Sequence, residues 1–228
     1  MLVKKWMSQN VVAVDEKDSM DVAIRKMKEN HIRLLPVTRK GKLVGVVTDR
    51  DVKRASASDA TTLDVHELLY LISTLSIKNI MTRDPITVGP DFTVEETAEL
   101  LLEKKISGVP VVDKGGRLVG VITQSDIDRV LIALTGVGKR GIQFAFQVPD
   151  RPGSIKEVSD VLREFGARIV SILTSYEGVP DGKRNAYIRV FDLDRSRMKE
   201  IQYHLSKRAD ILYMVDHKEN RREIYKDG

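Results

Sequence analysis

Apolar and polar positions follow the same order twice over the first 135 residues. Each copy opens with a short β-rich run, from Val11 to Val14 in the first and from Ile86 to Val88 in the second. An amphipathic helix is predicted next, because apolar residues between Met20 and Met27 follow the i, i+3, i+4, i+7 spacing of one helix face. Two strands joined by a glycine turn, and then a second helix, complete each copy. The pattern therefore predicts the order βαββα twice.

The residues themselves recur as well. Met7-Ser-Gln-Asn-Val-Val-Ala-Val14 returns as Met81-Thr-Arg-Asp-Pro-Ile-Thr-Val88, an offset of 74 (81 − 7). After one inserted glycine, Lys42-Leu-Val-Gly-Val-Val-Thr48 returns as Arg117-Leu-Val-Gly-Val-Ile-Thr123, an offset of 75 (123 − 48). One copy is too small to bury both faces of its sheet, so the two are expected to pack on each other. We place the first copy at residues 1–60, a linker helix at 61–78 and the second copy at 79–135.

The helix starts in both copies carry capping residues. Thr93 and Glu96 have the spacing of a capping box, and Ser19 occupies the equivalent cap in the first copy. The inward face of the second copy's helix is predicted from its apolar residues, which are Val94, Ala98, Leu101 and Leu102.

The last third of the chain has a different pattern. Apolar residues alternate from Ile142 to Val148, as in a half-buried strand, and a turn over Asp150–Gly153 precedes a helix capped by Ser154. The order that follows is strand, strand, helix, strand, over residues 168–174, 186–191, 198–205 and 211–215. This βαββαβ order is the ferredoxin-like one. The predicted class is therefore α/β, in the α+β arrangement, with a second domain at residues 141–217 and a charged tail at 218–228.

The amino-acid composition excludes several classes of function. Hydrophobic residues make up 42% and charged residues 31% of the 228 residues, a globular balance. There is no cysteine, which excludes disulfides, thiolate catalysis and cysteine-based zinc sites. No apolar run is long enough to cross a bilayer and no secretory signal is visible, so we expect a cytoplasmic protein without membrane contact. The net charge of +5 raises nucleic-acid binding as an alternative, but the 38 basic and 33 acidic residues are interleaved, which favours an ordinary solvated surface.

Two short motifs resemble catalytic or cofactor signatures without meeting their requirements. His66-Glu67 opens like a zinc-protease motif, but Tyr70 stands where the second histidine is needed. Gly136, Gly138 and Gly141 have the G-x-G-x-x-G spacing, but they follow a predicted helix and precede a strand, the reverse of the dinucleotide fingerprint. We predict no catalytic residues, no metal and no catalytic cofactor, and we interpret the glycine segment as a linker.

Each copy ends in a Gly-apolar-apolar-Thr-x-x-Asp motif, which pairs Thr48 with Asp51 and Thr123 with Asp126. A hydroxyl beside the free N–H groups of a helix start suits a phosphate, and a carboxylate can accept hydrogen bonds from both hydroxyls of a ribose. The spacing therefore fits one nucleotide. Threonine and aspartate are also favoured helix caps, so plain capping is an equal alternative from the residues alone.

The repeat, its Met-Thr-x-x-Pro opening at Met81, Ser107-Gly-Val-Pro-Val-Val112 and the two Thr-x-x-Asp endings resemble CBS domains. Two in tandem resemble a Bateman module, which implies two clefts for adenosyl compounds such as AMP, ADP, ATP or S-adenosylmethionine. By this resemblance Thr48 and Asp51 serve one cleft, and Thr123 and Asp126 serve the other. The first copy has Arg33-Leu-Leu where the second has Ser-Gly-Val, so Arg33 and Arg50 would supply cations for phosphate beside Thr48. The resemblance places adenine against Ile86, Thr87, Ser107, Gly108, Val109 and Pro110.

In the last third, Asp150-Arg-Pro-Gly-Ser-Ile155 resembles an ACT domain, in which the loop glycine lets an amino-acid ligand approach the backbone. The implied ligand residues are Asp150, Gly153, Ser154, Ile155 and Arg168. Arg168 stands where the family often has asparagine. It leaves two alternatives open, either binding of a ligand carboxylate or a domain that serves dimerisation without a ligand.

The order CBS, CBS, ACT is similar to the acetoin-utilisation (AcuB) group. These resemblances together imply a non-catalytic regulatory protein, with an adenine nucleotide as regulatory ligand and a homodimer as the expected assembly. An S-adenosylmethionine-binding regulator and a nucleic-acid-binding protein remain the alternatives.

Overall fold

The computed structural model describes residues 1–59, 70 and 72–225, and within them the chain forms two compact units, Met1–Asp128 and Arg129–Gly228. Residues 61–69 and 71 of the predicted linker helix, which include His66, lie outside the described residues. The described helices are α1 (Met20–Glu29), α2 (Asp49–Asp59), α3 (Ile77–Ile80), α4 (Val94–Lys104), α5 (Gln124–Thr135), α6 (Ser154–Glu164) and α7 (Met198–Ser206). The strands are β1 (Val14–Asp15), β2 (Leu34–Arg39), β3 (Lys42–Thr48), β4 (Thr82–Arg83), β5 (Gly108–Val112), β6 (Leu118–Thr123), β7 (Ile142–Pro149), β8 (Arg168–Ser175), β9 (Lys183–Phe191), β10 (Asp210–Asp216) and β11 (Arg221–Ile224).

The first unit contains both predicted copies, and each copy has the order βαββα. In the first copy β1 pairs with β2 in parallel, and β2 pairs with β3 in an antiparallel hairpin. The second copy repeats this, with Val88 bridging Val111 in parallel and β5 pairing with β6. Val14 pairs with Val37 in the first copy, and Val88 pairs with Val111 in the second. Both partners are shifted by the offset of 74 that relates the two copies in the sequence.

The two copies exchange their leading segments. Thr82 and Arg83, in the leading segment of the second copy, pair with strand β3 of the first, while Ser8 bridges Val121 in strand β6 of the second. Backbone hydrogen bonds also link the leading segment of each copy to the other copy. The N–H of Ile77 donates to the carbonyl of Asp18 at 2.9 Å, and that of Val3 donates to Phe92 at 2.8 Å. The repeat places residues 1–10 in the first copy, but the backbone N–H groups of Val3, Lys4 and Ser8 donate to carbonyls of the second.

Apolar side chains of the exchanged segments complete the two cores. Ile77 and Val3 are both fully buried, and Ile77 belongs to the core formed by the first copy's helix and sheet. The predicted stripe on α1 is confirmed at Met20, Ala23 and Met27, which are buried. The exchange means that neither copy has a complete core by itself.

Helix α4 confirms one sequence prediction and corrects another. The capping box is present, since Thr93 Oγ1 accepts from the Glu96 N–H and the Glu96 carboxylate accepts from the Thr93 N–H. Ser19 holds the equivalent N-cap position but makes no side-chain capping bond. The prediction that Leu102 faces inward is wrong. Thr97 occupies the buried position instead, and Leu102 is 78% exposed, because the α-helical period carries it off the buried face.

The exchange depends on two glycines that let the segments approach closely. A Cβ at Gly45 would meet the Thr82 carbonyl oxygen at 2.8 Å and Met81 Sδ at 2.8 Å, and one at Gly120 would collide with Met7 Sδ. We expect Gly45→Ala to destabilise the first unit by about 1–3 kcal/mol, the usual effect of overpacking a closed contact. Denaturant unfolding checks this, with Gly89→Ala as control, since its Cβ would meet nothing nearer than 3.5 Å. Equal stability of both variants would contradict the tight approach.

The second unit is a five-stranded sheet in the order β11-β10-β7-β9-β8, and every pairing in it is antiparallel. Its first six elements follow the predicted order of strand, helix, strand, strand, helix, strand. The core is made by Phe144 and Phe146 of β7 together with Leu162 of α6 and Ile201 and Leu205 of α7, all fully buried. The alternation predicted along β7 is therefore what buries one face of the sheet against the two helices.

Two sequence expectations for this unit need correction. Ser154 is the first residue of α6 and not its cap. Gly153 takes the cap position with a left-handed φ of +89°, a conformation that glycine adopts at no steric cost. The predicted charged tail contains a strand, because Arg221–Ile224 pairs with β10. Three of its four residues, Arg221, Arg222 and Glu223, are charged, so the segment lacks the apolar alternation that would mark a strand in a hydropathy pattern.

The glycine-rich segment connects α5 to β7, as a linker would. The buried Arg189 donates from Nε to the Thr135 carbonyl at 2.7 Å, and Ser171 donates to the same oxygen at 3.0 Å. A cation at the last carbonyl of a helix is stabilising. Gly136 has a positive φ, and a Cβ there would collide with Val170. The segment is therefore built to end a helix.

A buried ion pair makes the second unit sensitive to acid. Burial raises the pKa of Asp216, but hydrogen bonds from Arg195, at 2.6 and 3.0 Å, and from two backbone N–H groups outweigh it and hold the pKa below its ordinary 3.8. A depressed pKa in the folded state stabilises the fold above the unfolded value, and this contribution is lost as the pH falls through the folded pKa.

We therefore expect Asp216→Asn to lower the stability of this unit by about 1–3 kcal/mol at neutral pH, where charged hydrogen bonds are lost. The difference from wild type should shrink below about pH 3.8. Chemical unfolding at a series of pH values checks this, and a difference that stays constant down to pH 3 would contradict it.

Candidate functional site

A cavity of about 280 Å³ opens in the first unit, and both copies of the repeat line it. The end of strand β3 and the start of α2 form one wall, and the segments before strand β5 form the other. The first copy contributes Leu34, Val46, residues 48–51 and Arg54, and the second contributes Thr82, residues 84–86 and residues 105–110. The exchange of leading segments brings these two walls together.

Eight of the residues named from the sequence line this cavity, namely Thr48, Arg50, Asp51, Ile86, Ser107, Gly108, Val109 and Pro110. Four others do not, namely Arg33, Thr87, Thr123 and Asp126. Sequence reasoning had grouped Arg33 with Thr48 in one cleft. The structure instead sets Ser107–Pro110 opposite Thr48, because each copy faces the other across the exchange.

Thr48 and Asp51 form a reciprocal cap at the start of α2. Asp51 Oδ2 accepts from the Thr48 N–H at 2.9 Å and from its hydroxyl at 2.6 Å, and Thr48 Oγ1 accepts from the Asp51 N–H at 3.3 Å. In the second copy, Asp126 Oδ2 accepts from the N–H and the hydroxyl of Thr123 at 2.8 and 2.7 Å. The capping alternative therefore describes the geometry of both motifs.

Capping uses only one oxygen of Asp51. The other, Oδ1, lies 3.3 Å from Arg54, whose side chain is 73% exposed. An exposed ion pair of this kind contributes about 0–1 kcal/mol, so a ligand hydroxyl can replace the guanidinium at little cost. The carboxylate can therefore cap the helix and accept from a ligand at once.

Charged residues also line the cavity. Arg50 and Lys105 stand on opposite walls, Asp84 lies near the second wall, and Asp49 pairs with Lys53 at 3.2 Å. Sequence reasoning missed Lys105 and Asp84. Both have left-handed backbones, with φ of +54° and +47°, which are uncommon for residues other than glycine and recur at functional sites. Only the chain path brings them to the cavity, and no local motif signals it.

Part of the cavity lining is apolar. Leu34, Val46, Ile86 and Val109 supply apolar surface suited to a flat ring. Gly108 is buried beside them, and a Cβ there would meet Thr123 Cγ2 at 2.9 Å and the Ile122 carbonyl at 3.0 Å. The cavity therefore combines apolar surface with the Asp51 carboxylate and the cationic side chains of Arg50 and Lys105.

The second unit separates the residues suggested for an amino-acid ligand. Asp150 accepts from the Tyr176 hydroxyl at 3.3 Å, and Ser154 accepts from Arg184 at 3.4 Å, both near the end of β7. Arg168 begins β8 at the opposite end of the sheet, where it lies over the Phe191 ring at 4.9 Å and pairs with Asp192. Gly153 has open space around its α-carbon, and Ile155 is partly buried.

Comparison with known proteins assigns the first unit. The CBS domain model matches residues 3–58 and 77–133, which are the two copies of the repeat. A CBS domain-containing protein of Dictyostelium discoideum is 34% identical over 133 residues, covering 58% of this chain and 92% of that protein. The chain belongs to the CBS domain family. Its tandem copies are two CBS domains, and the cavity lies between them.

Two solved CBS structures are similar to this unit. The CBS domain pair of protein MJ0100, in complex with 5′-methylthioadenosine and S-adenosyl-L-methionine, is 32% identical with a TM-score of 0.50, and the match covers 57% of this chain and 95% of that one. A putative acetoin utilization protein (AcuB) from Vibrio cholerae is 26% identical with a TM-score of 0.51, covering 61% of this chain and 96% of that one.

Within the described residues, no helix is long and apolar enough to cross a membrane, and no group of three or more histidine or carboxylate side chains could hold a metal ion.

Proposed function

We propose that this chain is a non-catalytic regulatory protein that binds an adenine nucleotide in the cavity between its two CBS domains. The observation that carries the proposal is the joining of Thr48 and Asp51 with Ile86 and Ser107–Pro110 around one cavity. The adenine ring would pack against the apolar side chains that line the cavity. The ribose hydroxyls would donate hydrogen bonds to Asp51 Oδ1, and the phosphate would bind the Thr48 hydroxyl, Arg50 and Lys105.

Binding would act by shifting the packing of the two domains. Since the cavity walls come from different CBS domains, a ligand that contacts both favours the arrangement in which the walls lie at the bound distance. A ligand shifts such an equilibrium only by its differential affinity for the two arrangements. The ligand therefore serves as a signal and is not consumed.

S-adenosylmethionine is the second candidate ligand. The MJ0100 CBS pair, which is 32% identical, binds 5′-methylthioadenosine and S-adenosyl-L-methionine. Adenosine is common to both candidates, and only the group on its 5′ carbon differs. Asp84 also lines the cavity. Its negative charge could attract the sulfonium or amino group of S-adenosylmethionine, whereas Arg50 and Lys105 would attract the phosphate of a nucleotide.

For the second unit we propose an ACT-type, ferredoxin-like domain that serves dimerisation. The βαββαβ order and antiparallel sheet support this, and the distance between Arg168 and the Asp150 loop favours dimerisation over an amino-acid site built from both. We expect a homodimer. Sedimentation at micromolar concentration checks this, and a monomer would contradict it.

Calorimetric titration of the full chain with AMP, ADP, ATP and S-adenosylmethionine tests the proposed ligand class. We expect saturable binding of at least one of the four, with guanine nucleotides as the control that binds more weakly. Absence of binding by all four would contradict the proposed function.

A further inference from the structure

Arg54 pairs with the carboxylate oxygen that the proposed function assigns to the ribose. A guanidinium nitrogen of Arg54 lies 3.3 Å from Asp51 Oδ1, while Asp51 Oδ2 caps the helix by accepting from the Thr48 N–H and hydroxyl. The Asp51 side chain is 12% exposed, whereas that of Arg54 is 73% exposed. A ribose that donates to Oδ1 therefore has to displace Arg54, whose exposed side chain can turn to another anion without disturbing the core.

The position of Arg54 on α2 places it beside a second cation. Arg50 and Arg54 are four residues apart, so their side chains leave the same face of the helix, and both line the cavity. Like charges at this spacing destabilise a helix, and the positive end of the helix dipole, where α2 begins, adds to the repulsion. An anion between the two guanidinium groups relieves this repulsion, and Asp51 supplies one for Arg54.

We infer that Arg54 exchanges partners when the ligand binds. It neutralises Asp51 in the free protein, and it pairs with the phosphate of the ligand once the ribose occupies Asp51 Oδ1. This inference rests on the proposed function and selects among its ligands by the group on the 5′ carbon. A nucleotide replaces the ion pair that its ribose breaks, whereas adenosine and 5′-methylthioadenosine break the pair and offer no anion in return. Arg54 is therefore a specificity-determining residue that favours nucleoside phosphates.

Calorimetric titration of the full chain with AMP, and separately with adenosine, tests the exchange. In Arg54→Gln the ribose no longer competes with a guanidinium, so we expect adenosine to bind about two- to fivefold more tightly than to wild type, as the weakness of an exposed ion pair implies. AMP loses a partner for its phosphate and should bind about three- to tenfold more weakly. Only an exchange predicts changes of opposite sign, because damage to the fold would lower both affinities.

Lys53→Gln is the matched control for the loss of charge. It removes one cation from the same helix, at a 77% exposed side chain that pairs with Asp49 at 3.2 Å and does not line the cavity. We expect it to change the affinity for either compound less than about twofold. The double variant of Asp51→Asn with Arg54→Gln should bind adenosine no more tightly than Asp51→Asn alone, since Arg54 competes only through Asp51.

The outcomes separate this inference from the proposed function. If adenosine binds Arg54→Gln no more tightly than it binds wild type, or if Lys53→Gln reproduces both changes, the exchange is overturned and the proposed function stands. If wild type binds none of AMP, ADP, ATP and S-adenosylmethionine, the proposed function itself is contradicted.

Discussion

Replacement of Asp51 by alanine is expected to lower the affinity of the chain for AMP about 10- to 100-fold. Asp51 Oδ1, which takes no part in the cap, would accept hydrogen bonds from the ribose hydroxyls, and a hydrogen bond to a charged group contributes about 1.5–3 kcal/mol. Arg54 lies 3.3 Å from that oxygen but is exposed, so it offers little competition. Calorimetric titration of both proteins measures the change.

The control for this experiment must account for the cap that Asp51 also makes. Removing a capping side chain costs about 0.5–2 kcal/mol of stability, so Asp126→Ala, which removes the equivalent cap, serves as the matched variant. Wild type should bind 2′-deoxy-AMP more weakly than AMP, and Asp51→Ala should bind the two alike. Equal affinity of wild type for both nucleotides would contradict the role of Asp51 at the ribose.

Replacement of Phe144 by alanine should destabilise the second unit by about 3–5 kcal/mol. Phe144 is fully buried and stacks on Phe146 with ring centroids 5.9 Å apart, so the variant loses both apolar burial and packing around a new cavity. Tyr203→Ala is the control, because Tyr203 is 58% exposed and should change stability by less than about 1 kcal/mol. Denaturant unfolding measures both variants.

The same variant separates the roles of the two units. Every residue lining the cavity lies between Leu34 and Pro110, within the first unit. AMP affinity of Phe144→Ala should therefore equal that of wild type at temperatures where both proteins remain folded. A loss of affinity would mean that the second unit completes the binding site.

Local chemistry explains which parts of the fold could be predicted. Thr93 and Glu96 lie three residues apart, so their capping box depends on one turn of chain and was predicted correctly. The exchange of leading segments could not be predicted, because Met7 and Met81 have equivalent sequences and the repeat does not say which copy each one contacts. The predicted stripe of apolar residues places Leu102 inward, but the buried face is centred on Val94, Thr97 and Leu101, so polar Thr97 takes the inward position.

The residues of the candidate site also fall into those that a local motif predicts and those that only the folded chain brings together. Thr48 and Asp51 belong to one short motif, so the sequence located them, and it left capping and ligand binding open. The structure shows the cap in both copies and places Asp51 in the cavity lining, with its second carboxylate oxygen paired with Arg54. Lys105 and Asp84 reach the cavity only because of the chain path around it, and no spacing in the sequence reports that path. Arg33 does not line the cavity, although its carbonyl accepts from the Asp49 N–H at 3.0 Å, so its part in phosphate binding stays a prediction.

A crystal structure of the full chain with AMP, and a second with S-adenosylmethionine, tests the central claim most directly. We predict adenine between Ile86 and Ser107–Pro110, and ribose hydroxyls within hydrogen-bonding distance of Asp51. A ligand bound away from this cavity, or only in the second unit, would contradict the account.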